Sequence, residues 1–518
     1  MSTTTPLAGS ALTRWEPEDQ RFWAGTAKSI AYRNLWISIP CLLCGFAVWM
    51  FWSIITVQMQ NLGFGFSKDQ LYTLSAVAGL AGATLRIPHS FLVAISGGRV
   101  SVAVTTALLL LPALGTGVAL QDPKTPYAWF VALAALSGIG GGAFASSMSN
   151  ISGFFPKRIQ GTALGLNAGI GNLGVSLMQV LLPFVMTFAL FGALSGPGRA
   201  LPAGFGGGTI WIQNSGLVWV PILAFLALLA WFGMNTLPAH AVASTGSAVG
   251  KLLWLNLLGF AGAGLGLYLL IGLHWNMWLV LPLTIVITLA LMRYLTPRPV
   301  QERLSKQFAI FGEKHNWAMT WLYVMTFGSF IGYSAAFPKL IQDVFGTLPG
   351  GGLNPSAPNP LKYAWLGPLV GSLWRPIGGF LSDKYRGARV TQWATAVMIA
   401  AALGVAYFVK KAAAAAHPEE YFFPFLLLFL LLFITTGIGN GSTFQMIPAI
   451  FKPELAGPVL GWTSAVGAYG SFIVPKVIGA QIARGTPEYA LYGFAIYYLT
   501  CLALNWWLYA RKNAECPC

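Results

Sequence analysis

Apolar residues in this chain run in long blocks parted by short polar breaks, without the alternation of a strand or the one-sided stripe of a surface helix. A helix needs about 20 apolar residues to cross a bilayer. Blocks near 34–60, 69–95, 99–121, 126–155, 159–192, 211–235, 251–273, 276–295, 316–345, 362–382, 390–411, 421–451, 456–484 and 488–510 reach that length or close to it. The pattern predicts an all-α polytopic membrane protein with fourteen transmembrane helices. An even number puts both ends of the chain on one side.

The pattern also repeats internally. Residues 137–174 read SGIGGGAFASSMSNISGFFPKRIQGTALGLNAGIGNLG, and residues 436–470 read TGIGNGSTFQMIPAIFKPELAGPVLGWTSAVGAYG. Both contain GIGxG and then an aromatic residue beside Lys and Pro (Phe155-Pro156-Lys157; Phe451-Lys452-Pro453). Both continue with LG-x5-G-x2-G, at Leu164, Gly165, Gly171 and Gly174 and at Leu460, Gly461, Gly467 and Gly470, with Gly169 inside the first block. Small residues three and four apart let helices approach closely. Matched in two halves, these glycines are expected to form the surfaces on which the halves rock. Two homologous halves enclosing a central site is the architecture of a secondary transporter.

Composition strengthens the membrane reading. The 518 residues are 56% hydrophobic and 8% charged, against about 25% charged in a soluble domain, and mean hydropathy is +0.66. The net charge of +16 does not indicate a nucleic-acid partner, because the basic residues stand singly between spans and form no patch. They follow the positive-inside rule. With both ends inside, that side holds Arg14, Arg21, Lys28, Arg33, Arg99, Lys157, Arg158, Lys251, Arg293, Arg298, Arg303, Lys306, Lys314, Lys384, Arg386, Arg389, Lys452, Arg511 and Lys512. The other side keeps Lys68, Lys124, Arg199, Lys362, Lys410, Lys411 and Arg484, so nineteen against seven make both termini cytoplasmic. The polar first 33 residues do not read as a signal peptide. Cys41 and Cys44 form a CxxC inside an apolar span, which reads as packing, and Cys516 and Cys518 take no role. The spans hold no metal-ligand spacing, paired carboxylates or nucleophile–base pair, so no enzyme, cofactor or metal is expected.

The chemistry lies in two arginines. Arg86 falls within LSAVAGLAGATLRIPHSFLVAI and Arg375 within YAWLGPLVGSLWRPIGGFL, each closely followed by proline (Pro88, Pro376) at equivalent places ahead of the repeat. A mid-membrane arginine costs about 2.5–3.5 kcal/mol and keeps its proton. All fourteen acidic residues read as loop, helix-end or terminal positions, so a ligand anion is the natural partner. A guanidinium fork holds a planar oxyanion through two hydrogen bonds, and two forks suit one small monovalent anion. His89, one turn after Arg86, is a packing residue or a site of proton linkage. In GFLSDKYRGAR, at 379–389, Asp383, Lys384, Arg386 and Arg389 form a cytoplasmic gate loop able to pair charges differently in two conformations; its counterpart near 96–101 keeps only glycines and Arg99.

At LRIPHSF, FASSMSNISGFFPK, GTALGLNAGIGNLGVS, TFGSFIGYSA (326–335) and GIGNGSTFQM (437–446) the chain resembles a nitrate/nitrite transporter of the major facilitator superfamily. The resemblance runs from Arg33 to the last span and implies two six-helix halves, 34–235 and 315–510, in a bacterial cytoplasmic (inner) membrane. A cytoplasmic N-terminal segment, 1–33, and a tail, 511–518, flank them. It implies that Arg86 and Arg375 clamp nitrate or nitrite, that Phe46, Phe144, Tyr323 and Phe327 wall the pocket, and that Asn172 and Ser442 make polar contacts with Gly439 beside them. The family commonly has twelve spans. Here a linker, 236–314, adds a two-helix hairpin with its turn at LHWN (273–276), expected to meet lipid or a second copy. A monomer is expected to suffice for transport.

With no carboxylate in the spans to carry a proton, the expected coupling is nitrate inward against nitrite outward. The alternative is proton–nitrate symport through His89 or the substrate. An anion channel needs no duplicated halves.

Overall fold

The computed structural model describes residues 11–349 and 351–518; the side chains of Arg303 and Lys306, counted above among the basic residues, lie outside the described ones. The helices are α1 (Gln20–Asn61), α2 (Lys68–Ser96), α3 (Gly98–Ala119), α4 (Tyr127–Ser152), α5 (Lys157–Val185), α6 (Asn214–Gly233), α7 (Thr245–Gly272) and α8 (Met277–Leu295), followed by α9, where Lys314–Tyr323 passes through a π-helical turn, Val324–Gly328, into Ser329–Phe345. Then come α10 (Leu366–Tyr385), α11 (Gly387–Ala414), α12 (Pro418–Ile450), α13 (Leu455–Ala483) and α14 (Glu488–Ala510). Among the described residues twelve are long and apolar enough to cross a membrane, all but α9 and α10. Those two carry Lys339, Asp343 and Arg375, which dilute their apolar runs.

The helices fall close to the predicted blocks, with two exceptions. α1 begins at Gln20, not near 34, because Trp23, Ala27, Ile30 and Ala31 line one face at helical spacing and bury against Phe154 and Phe155. The expected polar segment 1–33 is therefore, in its second part, a helical extension. Leu12 is tied down as well, its amide donating to the Thr236 carbonyl at 2.9 Å. α5 stops at Val185 rather than 192, and glycines with positive φ at 192, 196, 206, 207 and 208 shape the loop that follows. That loop holds a two-residue antiparallel pairing of β1 (Arg199–Ala200) with β2 (Thr209–Ile210).

The packing of α1–α6 is echoed in α9–α14. α1 lies on α5 as α9 lies on α13, α2 on α4 as α10 on α12, and α3 on α6 as α11 on α14; across the two sets α2 meets α13 and α5 meets α10. Even the turns match. Gly97 (φ 75°) joins α2 to α3, and Arg386 (φ 75°) joins α10 to α11 at the same left-handed conformation. Glycine adopts it freely, whereas arginine carries the Cβ clash of roughly 1–2 kcal/mol. α7 does not stand off in lipid as expected for a pure surface hairpin, since it packs along α2.

The repeat glycines seal helices within one set, contrary to their expected place between halves. A Cβ on Gly174 would lie 2.1 Å from the Leu43 carbonyl oxygen, and one on Gly470 2.1 Å from that of Gly328. Gly171 abuts Leu42 and Gly467 abuts Tyr323, while Gly165 and Gly169 face open space and Gly461 nears only Ser90. The close approach across the sets belongs to Gly79, where a Cβ would lie 2.4 Å from the Ser471 backbone. Gly470→Ala is therefore expected to destabilise the protein by about 1–3 kcal/mol, the usual penalty of overpacking, and Gly165→Ala by less than about 0.5 kcal/mol. Denaturant unfolding in detergent reads the difference.

Candidate functional site

Arg86 sits mid-way along α2 behind a run of small residues, Ala78, Gly79, Ala81, Gly82 and Ala83, which brings neighbouring backbones close. It is fully buried. Nε donates to the Gly141 carbonyl on α4 and Nη1 to the Ser464 carbonyl on α13, both at 3.0 Å. One guanidinium thus touches both helix sets. Its Cζ lies 4.6 Å from the Phe144 ring centroid, 5.0 Å from Phe327 and 5.4 Å from Trp49. Ring faces stabilise a desolvated cation by up to about 2 kcal/mol. Nη2 has no hydrogen-bond partner, and among the described residues no carboxylate lies within ion-pair distance of Arg86 or Arg375.

Arg375, on α10, is nearly as deeply buried, with Cζ 5.4 Å from the Phe444 ring and Nη1 unpartnered. The two guanidiniums are near enough to repel each other, and Tyr323 interacts electrostatically with both. A row of rings spans the space: Phe46 to Phe144 at 6.0 Å, Phe144 to Phe327 at 6.4 Å, Phe327 to Tyr323 at 5.6 Å and Tyr323 to Phe444 at 6.1 Å. The π-helical turn at Val324–Gly328 carries Phe327, and Tyr323 directly precedes it.

The structure therefore gathers Arg86, Arg375, Phe46, Phe144, Tyr323 and Phe327. Ser442, Gly439 and His89 face elsewhere, and the Asn172 side chain is bonded to nothing. The Ser442 hydroxyl is 2.7 Å from that of Thr391 on α11 and donates to the Gly439 carbonyl at 3.0 Å. Gly439 abuts Thr326. Asn172 is buried with both amide atoms unpartnered, and no hydrogen bond ties it to the arginines. His89 points to α7, with Nε2 3.0 Å from Asn256 Oδ1. In the gate loop Gln445 donates to Asp383, joining α10 to α12 within one set, and Lys384 lies over Tyr385. Arg386 takes the strained turn, and Arg389 is exposed like Lys384. Sequence reading missed Trp49, one turn from Phe46, and Phe444, inside the second repeat block. It also missed Ser372, one turn before Arg375 with its hydroxyl unpartnered.

A cavity of about 340 Å³ runs from Phe144, Phe444 and Ser464 toward the face that carries both chain ends, bordered there by Ser152, Phe311 and Gly457. The opposite face is closed by contacts across the sets. Lys476 on α13 bonds Asp69 at 3.1 and 3.3 Å and Thr73 at 2.9 Å on α2. Lys68 meets Asp343 at 3.5 Å, and Gln179 on α5 donates to the Ser334 carbonyl at 3.0 Å. Asp343 also pairs with Lys339 at 2.5 Å, and its side chain is wholly buried. By position it is the expected helix-end acid, two residues from the end of α9, but it is buried inside the helix set, so the expectation of no carboxylate within the spans fails there. Lys339 and Lys476, hidden in apolar blocks, carry the partners of both acids.

This geometry is that of a membrane transporter with a central site between two matched helix sets, hollow toward one face and shut at the other. Solved structures share the fold: the chain matches a partially occluded, inward-open xylose transporter of E. coli (TM-score 0.53, 13% identity, 92% of this chain and 97% of that one). It matches equally a bacterial homologue of human drug peptide transporters (TM-score 0.55, 13% identity, 92% and 97%). No family model matches the sequence. Curated relatives do: a probable nitrate/nitrite antiporter NarK2 of Thermus thermophilus is 40% identical over 98% of this chain and 99% of its own. The nitrate/nitrite transporter NarU of Escherichia coli is 35% identical over 97% and 96%, and a nitrite extrusion protein of Bacillus subtilis is 24% identical over 92% and 93%. The chain belongs to the nitrate/nitrite transporter family.

Removing the Asp69–Lys476 pair by Lys476→Gln is expected to raise labelling of a cysteine placed at the buried Ser471 by a membrane-impermeant thiol reagent about fivefold. That is the population shift produced by ~1 kcal/mol of lost pairing.

Proposed function

We propose that this protein moves nitrate across the cytoplasmic (inner) membrane of a bacterium in exchange for nitrite, by alternating access of its two halves. The observation that carries the reading is the pair of buried guanidiniums, Arg86 and Arg375, each with an unpartnered Nη and, among the described residues, no carboxylate beside it, sharing one ring-lined space between the halves. Nitrate and nitrite are small planar anions of single charge, the complement of two forks held between ring faces. Substrate names of the curated relatives agree.

In this reading Phe46, Phe144, Tyr323 and Phe327 flank the anion and keep water out, and Asn172 supplies a further amide. The halves are 34–235 and 315–510, and α7 and α8 form the inserted hairpin of 236–314, fourteen spans in all. Both termini lie in the cytoplasm, so the cavity faces inward and the ion pairs of Asp69 and Asp343 close the periplasmic side. A single chain suffices, with lipid around it.

Electrostatics explains the coupling. Without an anion, two uncompensated charges must pass through the closed, water-poor state, which is strongly unfavourable. With one bound, the excess falls to a single charge that rings and carbonyls stabilise. The protein therefore reorients loaded, which is exchange. The buried carboxylate, Asp343, favours symport little, because Lys339 and Lys68 hold it at the opposite face and nothing links it to the arginines.

Two outcomes are expected. In proteoliposomes loaded with nitrite, nitrate uptake proceeds with no pH gradient and is unchanged by a protonophore; strict dependence on the gradient would sink exchange. Arg86→Lys and Arg375→Lys, which keep the charge and lose the fork, each lower uptake by about 100-fold or more, the effect of about 3 kcal/mol of lost charged hydrogen bonding. Retained affinity in both variants would remove the arginines from the site.

A further inference from the structure

We propose that Asn256, on the extra helix α7, is a positioning residue for Arg86 that acts through His89. The inference rests on the reading of Arg86 as an anion ligand and gives the hairpin a part in transport.

Asn256 is buried, and its Nδ2 donates to the Leu252 carbonyl of its own helix at 3.0 Å. That bond turns the amide oxygen toward His89, whose Nε2 lies 3.0 Å away. The oxygen only accepts, so Nε2 carries the hydrogen, and Nδ1 is left without a partner. On its other side the His89 ring presses on α4: a Cβ at Gly142 would lie 3.1 Å from its carbons. Gly142 adjoins Gly141, whose carbonyl holds Arg86 Nε. A turn of α2 that freed Arg86 from Gly141 would also drag His89 off Asn256.

A second contact brackets the same turn. At Gly259 a Cβ would lie 2.7 Å from Leu85 Cδ2 and 2.9 Å from Pro88 Cγ. Pro88 has no amide hydrogen and cannot bond the carbonyl four residues back. α2 is therefore weakest beside its arginine, and there α7 braces it. The brace is itself stiff, since Gly262 and Gly266 of α7 seat Thr288 and Thr284 of α8. A helix that only met lipid would have no use for a buried amide–imidazole bond, because unpaired polar groups in an apolar setting are unfavourable.

The test uses the full chain in liposomes. Asn256→Leu removes the bond at similar volume and is expected to raise the nitrate KM roughly tenfold, as one displaced hydrogen bond to a charged group does, with kcat within about twofold. Amide hydrogen exchange over residues 83–90 is expected to quicken, and the swap of His89→Asn with Asn256→His to restore both measures. Asn256→Ala provides the same readings if the leucine variant does not fold. Unchanged KM and exchange in both variants, or a loss confined to kcat, would overturn the proposal. If the wild type takes up no nitrate, the anion reading fails, and the exchange measurement alone still decides whether α7 holds α2.

Discussion

A guanidinium buried with no carboxylate beside it among the described residues is the constraint on which this structure turns. Arg86 keeps its charge at full burial because two backbone carbonyls and three ring faces surround it. None of these cancels the charge, so the space around it stays electropositive. The surrounding helices can come so close only because their contact positions are small. Gly82 and Gly138 face each other between α2 and α4, and Gly141 lies against Trp49. These glycines make the room in which a large cation and several rings share one layer.

The same packing gives the halves their rigidity. Gly171 and Gly174 weld α5 to α1, and Gly467 and Gly470 weld α13 to α9. Each helix set is thus packed as a block, and polar contacts join the blocks, among them the ion pairs of Lys476 and Lys68 and the Gln179–Ser334 bond at one face and the Arg86–Ser464 bond at the centre. The Lys476–Asp69 pair is part-exposed, and such pairs are worth little each.

Much of the site was legible in advance. Arg86 and Arg375 stood out because a charge in an apolar block is expensive anywhere along the chain, and the repeat made them a pair. Phe46, Phe144, Tyr323 and Phe327 came from the resemblance, and their rings do form one row. Ser442 and Gly439 did not join it, because a hydroxyl on a helix can turn to a neighbouring helix as easily as to a ligand, and residue type does not say which. Lys339 and Lys476 were overlooked for a related reason: a single lysine in an apolar block gives no sign of its partner, which for Lys339 is Asp343 one turn on in the same helix and for Lys476 is Asp69 on α2.

Hydrophobic block length and charge asymmetry are local quantities, so the sequence by itself determined a membrane protein of long helices, its internal duplication and the two arginines set inside apolar blocks. The direction of each side chain around its helix, the partner that meets it and the face left open depend on contacts between residues hundreds of positions apart. Only the tertiary structure could decide that the repeat glycines bind helices within a half, that Gly79 carries the approach between halves, and that α7 grips the turn beside Arg86.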